Sequence, residues 1–329
     1  MERRRFLATS LAGVLAAPRV IGAQPAGKIA RVGILSAGPS ASAGETARTP
    51  LFVALRDLGW IAGQNLALEP RYAGGHTERL SALAAELVRA NVDVIVTTLN
   101  QETLEARQAT ATIPIVMVLG VLPVQAGLVA SLARPGANVT GTAVAPIAAG
   151  KYFELLKEAV PKLTRVALLW DPTFPGLDPH SSHEMPQHEA HKLGLSLVLI
   201  EMPRADDLEA ALGRLVSDRP GALFVVPSGA IAARMARLID FTARQRLPSI
   251  YPSRTFAEAG GLMSYGYERE ELARRAAAQL DRVLRGAKPA DLPVEQPTRY
   301  ELIINTRTAK TLGLTLAPTL LARADHVID

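Results

Sequence analysis

The sequence predicts an α/β fold built of two doubly wound, parallel-sheet lobes, and three observations carry that prediction. Short β-branched and aliphatic runs alternate along the chain with longer segments whose apolar residues recur about every 3.6 positions. Most of the short runs are apolar throughout, as expected of parallel strands that are covered by helices on both faces. About 306 residues follow an N-terminal leader, which exceeds the usual size of a single hydrophobic core.

The strands are predicted where apolar runs of four to seven residues stand between polar or glycine-rich segments. In chain order they are Ala30–Leu35, Val92–Thr98, Ile115–Leu119, Arg165–Trp170, Leu195–Ile200, Ala222–Val226 and Leu302–Asn305. In an open parallel sheet, ligands bind outside the carboxyl ends of the strands. The loops of interest therefore begin at Ser36, Thr97, Gly120, Asp171, Pro227 and Ser264.

The helices are predicted where one apolar stripe runs along each segment, because that stripe can cover a sheet. In chain order they are Thr77–Ala90, Glu102–Ala111, Gly150–Val160, Asp206–Ser217, Ile231–Gln245 and Glu268–Arg285. Proline and glycine cluster at Arg134–Pro146 and at Pro289–Pro297, and we interpret these two segments as connections.

The N-terminus has the pattern of a twin-arginine signal peptide. Arg3 and Arg4 begin an R-R-x-F-L string, and an uncharged run of about 11 residues follows it up to Pro18. That run is too short to span a membrane, which needs about 20 apolar residues. Small residues end at Ala23, where we expect cleavage. Residues 1–23 are therefore predicted to be a leader that directs the chain to the periplasm.

Composition excludes several classes of protein. The formal net charge is +5, but the leader carries +3 of it, and no basic run with interleaved aromatic residues follows. A nucleic-acid partner is therefore not expected. The chain has no cysteine, which excludes disulfides, thiol nucleophiles, cysteine-based zinc sites and a lipid-anchored cysteine.

No motif of catalysis or of cofactor binding is found. The first strand is followed by Ser-Ala-Gly-Pro from Ser36 rather than by G-x-G-x-x-G, and the chain contains no G-x-x-x-x-G-K-[ST] string. The G-x-S-x-G and S-x-x-K patterns of serine hydrolases are also absent. We therefore expect no bound cofactor and no enzymatic activity.

Several strings carry a family resemblance. They are G-G-L-M-S-Y-G at 260–266, P-A-D-L-P-V-E-Q-P-T at 289–298, G-L-V-A-S-L-A-R-P-G at 127–136, and the tail from Thr308 to Asp325. Together they resemble the periplasmic substrate-binding proteins of the TrpX-like family of ABC transporters, and the resemblance extends from Ile29 to the C-terminus.

The resemblance implies a type I periplasmic binding fold, in which two lobes joined by three crossovers close around a ligand. We expect lobe 1 to comprise residues 28–145 and 266–295, and lobe 2 residues 146–265 and 296–329. The implied function is capture of a small-molecule solute and its delivery to an ABC transporter permease, by a protein expected to be a monomer. Two other classes stay open: a periplasmic sensor module for a membrane receptor, and an exported enzyme.

Loop position and resemblance together select the candidate ligand-binding residues. They are Ser36, Thr97, Thr98, Asn100, Leu122, Trp170, Asp171, Ser228, Tyr251, Ser264 and Tyr265. Thr97, Thr98 and Asn100 precede a helix whose N-terminal N–H groups suit a carboxylate, although helix capping explains them as well. Trp170 and Asp171 offer an aromatic wall and a carboxylate for an ammonium group, with core packing the alternative for Trp170. Turn formation is the alternative for Ser36, and hinge packing for the two tyrosines.

Leu122 departs from the family pattern. Family members have Asp-Pro-Val where this chain has Leu122, Pro123 and Val124, so this loop lacks a carboxylate for an amino group. On this basis we hypothesise a more apolar or carboxylate-only ligand.

Four of the six histidines lie between His180 and His191. His188 and His191 stand three positions apart, but the zincin pattern fails at Gln187, and Pro186 is expected to interrupt a helix. We therefore predict an exposed loop and helix start without a metal ion.

Overall fold

The computed structural model describes residues 29–144, 149–175, 179–226 and 228–329, without the side chains of 179–183. The predicted leader lies outside these residues. Within them, no helix is both long and apolar enough to cross a membrane.

The first lobe contains a five-stranded sheet with the strand order β2-β1-β3-β4-β5, in which every pair is parallel. Its strands are β1 Ala30–Ser36, β2 Leu66–Tyr72, β3 Val94–Thr97, β4 Ile115–Val121 and β5 Val139–Val144. Its helices are α1 Ala43–Thr46, α2 Pro50–Asp57, α3 Leu80–Arg89 and α4 Asn100–Ala109, with a 3₁₀ turn at Thr77–Arg79.

The second lobe contains a seven-stranded sheet with the order β12-β11-β10-β9-β8-β6-β7. Its strands are β6 Arg165–Trp170, β7 Ser196–Glu201, β8 Ala222–Val225, β9 Ser249–Tyr251, β10 Met263–Tyr267, β11 Tyr300–Asn305 and β12 His326–Ile328. The pairs are parallel except β10 with β11, which is antiparallel.

The helices that follow the first sheet belong mainly to the second lobe. They are α5 Ala149–Ala159, α6 Pro179–Lys192, α7 Leu208–Asp218, α8 Gly229–Ala233, α9 Met235–Arg244, α10 Arg254–Glu258, α12 Thr306–Leu312 and α13 Pro318–Leu321, with a 3₁₀ turn at Ala205–Asp207. The exception is α11 Arg269–Leu284, which packs on α2, β4 and β5 of the first lobe. Trp60 fastens it there, because the indole N–H donates to Asp281 Oδ1 over 2.8 Å.

Each sheet is covered by apolar side chains on both faces. Two buried clusters flank the first sheet and two flank the second, and strands such as β3 and β8 are buried along their whole length. The predicted fold class is therefore confirmed, and so is the reason for the continuous apolar runs.

The chain passes between the lobes three times. It leaves the first sheet after β5, returns from β10 to α11, and passes back to β11 after a third 3₁₀ turn at Pro289–Asp291. Glu295 on the third passage pairs with the backbone of β5, and the Glu271 carboxylate of α11 accepts hydrogen bonds from Thr298 and from the Arg299 N–H. The third passage is therefore tied to the first lobe just before it enters the second.

Two expectations about local structure are wrong. The segment Arg134–Pro146, interpreted as a connection, contains the edge strand β5, whose Gly141 approaches Met117 so closely that a Cβ would lie 2.0 Å from the Met117 carbonyl oxygen. That glycine is needed for close strand pairing, not for a turn. Pro186 does not interrupt α6, which continues through it to Lys192. The packing of α6 on α5 and β7 offsets the backbone hydrogen bond that proline removes.

Candidate functional site

The loops at the carboxyl ends of the two sheets face each other and touch at two places. We call the first the polar seam, made by Asn100 and Gln101 of the first lobe with Asp171 and Pro175 of the second. We call the second the small-residue seam, made by Ala37 and Gly75 of the first lobe with Ala205, Gly229 and Ala233 of the second.

Asn100 connects both lobes through one amide. It is fully buried, and its Nδ2 donates to the Val121 carbonyl at 2.6 Å and to the Pro175 carbonyl at 2.6 Å, while its Oδ1 accepts from the Val121 N–H at 2.8 Å. Val121 lies at the end of β4, whereas Pro175 lies beyond β6. One side chain therefore ties two loops of the first lobe to the second.

Gln101 and Asp171 form the other half of the polar seam. Gln101 Nε2 donates to Asp171 Oδ2 at 3.1 Å, and Asp171 Oδ1 accepts from the N–H and the hydroxyl of Thr173 at 2.8 and 2.6 Å. Asp171 is only 1% exposed, and no lysine, arginine or histidine among the described residues forms an ion pair with it. Three hydrogen bonds stabilise this buried carboxylate, and a positively charged group would add the charge compensation that these neutral donors do not supply.

A second acceptor lies beside that carboxylate. Gln101 is 8% exposed, and its Oε1 is buried without a hydrogen-bond partner. Because an amide oxygen only accepts hydrogen bonds, this atom also calls for a donor. The seam therefore presents two neighbouring acceptors to whatever molecule occupies it.

Glu102 holds the loops of the first lobe in place. It is 1% exposed, and its two carboxylate oxygens accept from the N–H groups of Ala37 at 2.8 Å and Leu99 at 3.1 Å. Burial raises the pKa of Glu102, although the backbone hydrogen bonds oppose that shift. The carboxylate thus joins the loop after β1 to the loop after β3.

An open groove of about 430 Å³ runs along the outside of the polar seam. Its walls come from both lobes, and they are Thr77, Glu78, Leu80, Gln101, Leu104, Glu105, Thr173, Pro175, Pro203 and Arg204. Gln101 belongs both to the groove and to the seam, so the groove reaches the residue whose buried amide oxygen has no partner.

Three candidate hydroxyl residues lie buried at the strand ends but use their side chains locally. Ser36 Oγ accepts from the Gly38 N–H, Thr97 Oγ1 bonds to Thr103 Oγ1 at 2.7 Å, and Ser228 Oγ accepts from the Ile231 N–H. Ser36 and Ser228 each precede a residue of the small-residue seam. These three side chains shape the loops, and the structure shows no other use for them.

Four further candidates lie in or against the cores. Trp170 is 3% exposed within the cluster that also contains Tyr152, and Ser264 is 1% exposed on β10. Tyr251 is fully buried, stacks on Phe256 and donates to Ser249. Tyr265 packs against the same core as Trp170 and stacks on Tyr300. The Tyr251 side chain is therefore used inside the second lobe.

Leu122 and Thr98 complete the predicted set. Leu122 follows β4 with φ = 47°. This is the left-handed region of backbone conformation, which residues other than glycine, asparagine and aspartate rarely adopt. Thr98 follows β3 and is exposed, in contrast to buried Thr97. Backbone strain of this kind is often kept at binding sites, which agrees with the position of Leu122 beside Asn100.

His188 and His191 are exposed on α6, while the side chains of His180 and His183 lie outside the described residues. Among the described residues, no three histidine, aspartate or glutamate side chains are grouped so as to hold a metal ion.

Sequence reasoning missed the partners that make the site. Glu102 was considered only as the start of a helix, and Gln101, Thr173 and Gly229 were not singled out. The available signal was position, because an Asn-Gln-Glu triplet begins three residues after the end of a buried strand, at the edge of the sheet where ligands bind.

Comparison with known proteins gives concordant results. Residues 39–328 match the model of a family described as ABC transporter substrate binding protein. A tyrosine-binding protein of Clostridioides difficile is 26% identical over 272 residues, which is 82% of this chain and 77% of that protein.

Two solved structures show the same fold at 23% identity, each covering 91% of this chain and 99% of the other. An ABC domain in complex with L-Trp from Streptococcus pneumoniae gives a TM-score of 0.79, and a ligand-free, open substrate-binding protein from Clostridium difficile gives 0.60.

Proposed function

The chain belongs to the ABC transporter substrate-binding protein family, and we propose that it captures a small molecule bearing a cationic amino group between its lobes and delivers it to an ABC importer. The observation that carries the choice of ligand is Asp171, a carboxylate buried at the lobe interface without a cation among the described residues. An ammonium group would supply the missing charge and could also donate to Gln101 Oε1.

This ligand class competes with the hypothesis drawn from Leu122. The loop after β4 lacks the aspartate of the family pattern, but Asp171 places a carboxylate on the opposite lobe, so recognition of an amino group does not require the missing one. The half-buried Leu122 side chain adds apolar surface nearby. Together these features favour an amino acid with an apolar or aromatic side chain, the class to which the ligands named for the two relatives belong.

Isothermal titration calorimetry tests the proposal with matched ligands. The purified protein is titrated with L-tyrosine and L-tryptophan, and with 3-(4-hydroxyphenyl)propionate, which is tyrosine without its amino group. We expect an amino acid to bind and its desamino analogue to bind at least about a hundredfold more weakly, because the buried acceptors would then be left unpaired. Equal or tighter binding of the desamino compound would favour the carboxylate-only hypothesis.

Asp171→Asn provides the matched variant. It keeps the hydrogen bonds that a neutral acceptor can make to Thr173 but removes the negative charge. We expect it to lose binding of the amino acid while its unfolding temperature changes little, because removal of the buried charge offsets the one hydrogen bond that the asparagine NH₂ group cannot accept. Unchanged affinity in Asp171→Asn would refute the assignment.

We further propose that the protein acts in the periplasm after export by the twin-arginine route, does not transform its ligand, and hands it to a permease. The R-R-x-F-L string supports export, and the absence of catalytic motifs supports binding without turnover. Cell fractionation of an Arg3→Lys/Arg4→Lys variant tests the route, because the precursor should then stay in the cytoplasm. Stimulation of the permease ATPase by liganded protein tests delivery, and NMR of the ligand after incubation tests turnover.

A further inference from the structure

The small-residue seam leaves no space for a side chain at Gly229. A Cβ on this residue would lie 2.2 Å from the Cβ of Ala37, on the opposite lobe, a distance that real Cβ atoms essentially never show. The next two atoms are also from Ala37, at 3.3 and 3.4 Å. All three nearest neighbours thus belong to the other lobe, so within its own lobe Gly229 has room for a methyl group.

Ala37 is held so that it cannot move aside. Its N–H donates to the buried carboxylate of Glu102 at 2.8 Å, and its carbonyl accepts from the Gly75 N–H at 2.6 Å. Ala37 itself is fully buried. A buried alanine that is held by two backbone hydrogen bonds on one lobe therefore faces a glycine on the other.

A second contact of the same kind lies beside the first. A Cβ on Gly75 would lie 2.7 Å from the Cβ of Ala205 and 2.7 Å from that of Ala233, both on the second lobe. Gly75 also has φ = 88°, so a substitution there would strain the backbone in addition to blocking the lobes. Gly229 has no such backbone requirement and is the cleaner position to change.

We propose that Gly229 and Ala37 form a steric stop that sets how closely the two lobes approach, and that they act as positioning residues for ligand capture. The inference rests on the proposed function, because it assumes that the lobes open and close. Closure brings Gly229 against Ala37, and only then can Asn100 and Gln101 reach Pro175 and Asp171. A methyl group at Gly229 would hold the lobes apart and leave the polar seam unmade.

Crosslinking of the free protein measures closure without any ligand. The chain has no cysteine, so Glu78→Cys and Arg204→Cys, on opposite walls of the groove and both exposed, give a single reactive pair. A short bismaleimide joins them only when the lobes are close. We expect Gly229→Ala in this background to lower the crosslinking rate about tenfold or more, because the added methyl group overpacks a tight contact.

Two further variants separate closure from folding. Gly213→Ala, on α7 of the same lobe with no atom within 4 Å of the added Cβ, should crosslink at the parent rate. Adding Ala37→Gly to Gly229→Ala removes the facing methyl group and should restore most of the rate. A Gly229→Ala rate within twofold of the parent, no recovery with Ala37→Gly, or no crosslinking of the parent would each overturn the proposal.

Titration with L-tyrosine and L-tryptophan keeps this result separate from the ligand assignment. If no variant binds either amino acid but the crosslinking order holds, the proposed ligand is wrong and the stop remains. If the parent binds an amino acid, Gly229→Ala should weaken its affinity about tenfold or more while Gly213→Ala does not.

Discussion

Glu102→Gln tests whether the first lobe is organised by a single buried carboxylate. Glutamine can still accept from one of the two N–H groups now bonded to Glu102, those of Ala37 and Leu99, but its NH₂ group would face the other. A buried donor without a partner costs about 1–3 kcal/mol. Burial raises the pKa of Glu102 despite both bonds, so removal of the charge offsets part of that cost. We expect a net loss of about 1–2 kcal/mol in the free energy of unfolding.

Urea denaturation followed by circular dichroism measures the loss. Glu105→Gln is the control on the same helix, since Glu105 forms no hydrogen bond or ion pair with any residue that the structure describes. The pH dependence has a defined sign. A carboxyl group whose pKa is raised by folding contributes stability below its ordinary value of 4.5, and this contribution is lost as the pH rises through the raised pKa. The advantage of wild type over Glu102→Gln should therefore be greatest at acid pH. A Glu102→Gln protein as stable as Glu105→Gln would refute the reasoning.

Three other predictions concern the third passage between the lobes, the loop after β4 that contains Leu122, and the core of the second lobe around Tyr251. Glu271→Gln should lower the free energy of unfolding by about 1–2 kcal/mol at neutral pH, because it weakens the ties to the third passage. Burial raises the pKa of Glu271, but hydrogen bonds from Arg275, Thr298 and Arg299 outweigh it and lower the pKa, so this deficit should vanish in urea titrations as the pH falls below 4.5. Half-buried Glu270→Gln, which loses only ion pairs of 3.5 and 4.0 Å, should show a smaller deficit. Leu122→Asn should change the free energy of unfolding by less than about 1 kcal/mol, since relief of the left-handed backbone offsets lost apolar burial; a loss above 2 kcal/mol by urea denaturation would contradict this. Burial raises the pKa of Tyr251 to about 12, so wild type should lose stability relative to Tyr251→Phe as the pH rises from 10 towards 12, as thermal melts across that range would show.

The strands that the sequence predicts well are those buried on both faces. Val166–Trp170 and Ala222–Val226 are apolar throughout because helices cover both sides of the second sheet at its centre, and the structure has a strand at each. The edge strand β2 was not predicted, because it includes Pro70 and two charged residues and is only half-buried. Such residues protect an exposed sheet edge, and they also erase the apolar pattern by which a strand is recognised.

Parallel-sheet geometry selects the loops at the carboxyl ends of the strands, and two candidates from those loops, Asn100 and Asp171, lie in the polar seam of the structure. Their role in ligand binding stays a prediction. The sequence could not reveal that Gln101 contacts Asp171, because that contact joins residues 70 positions apart on different lobes. Nor could it reveal Gly229, since the need for a glycine there arises from a residue of the other lobe and leaves no local trace.

The two tryptophans divide between the lobes, and this gives the protein a built-in optical reporter. Trp60 is held in a core of the first lobe by its hydrogen bond to Asp281 of α11, whereas Trp170 directly precedes Asp171 of the polar seam. Emission from Trp170 in a Trp60→Phe protein should therefore respond to opening and to guest entry, while emission from Trp60 in a Trp170→Phe protein stays constant. Tryptophan fluorescence can thus report on each lobe separately and in real time, without an attached dye.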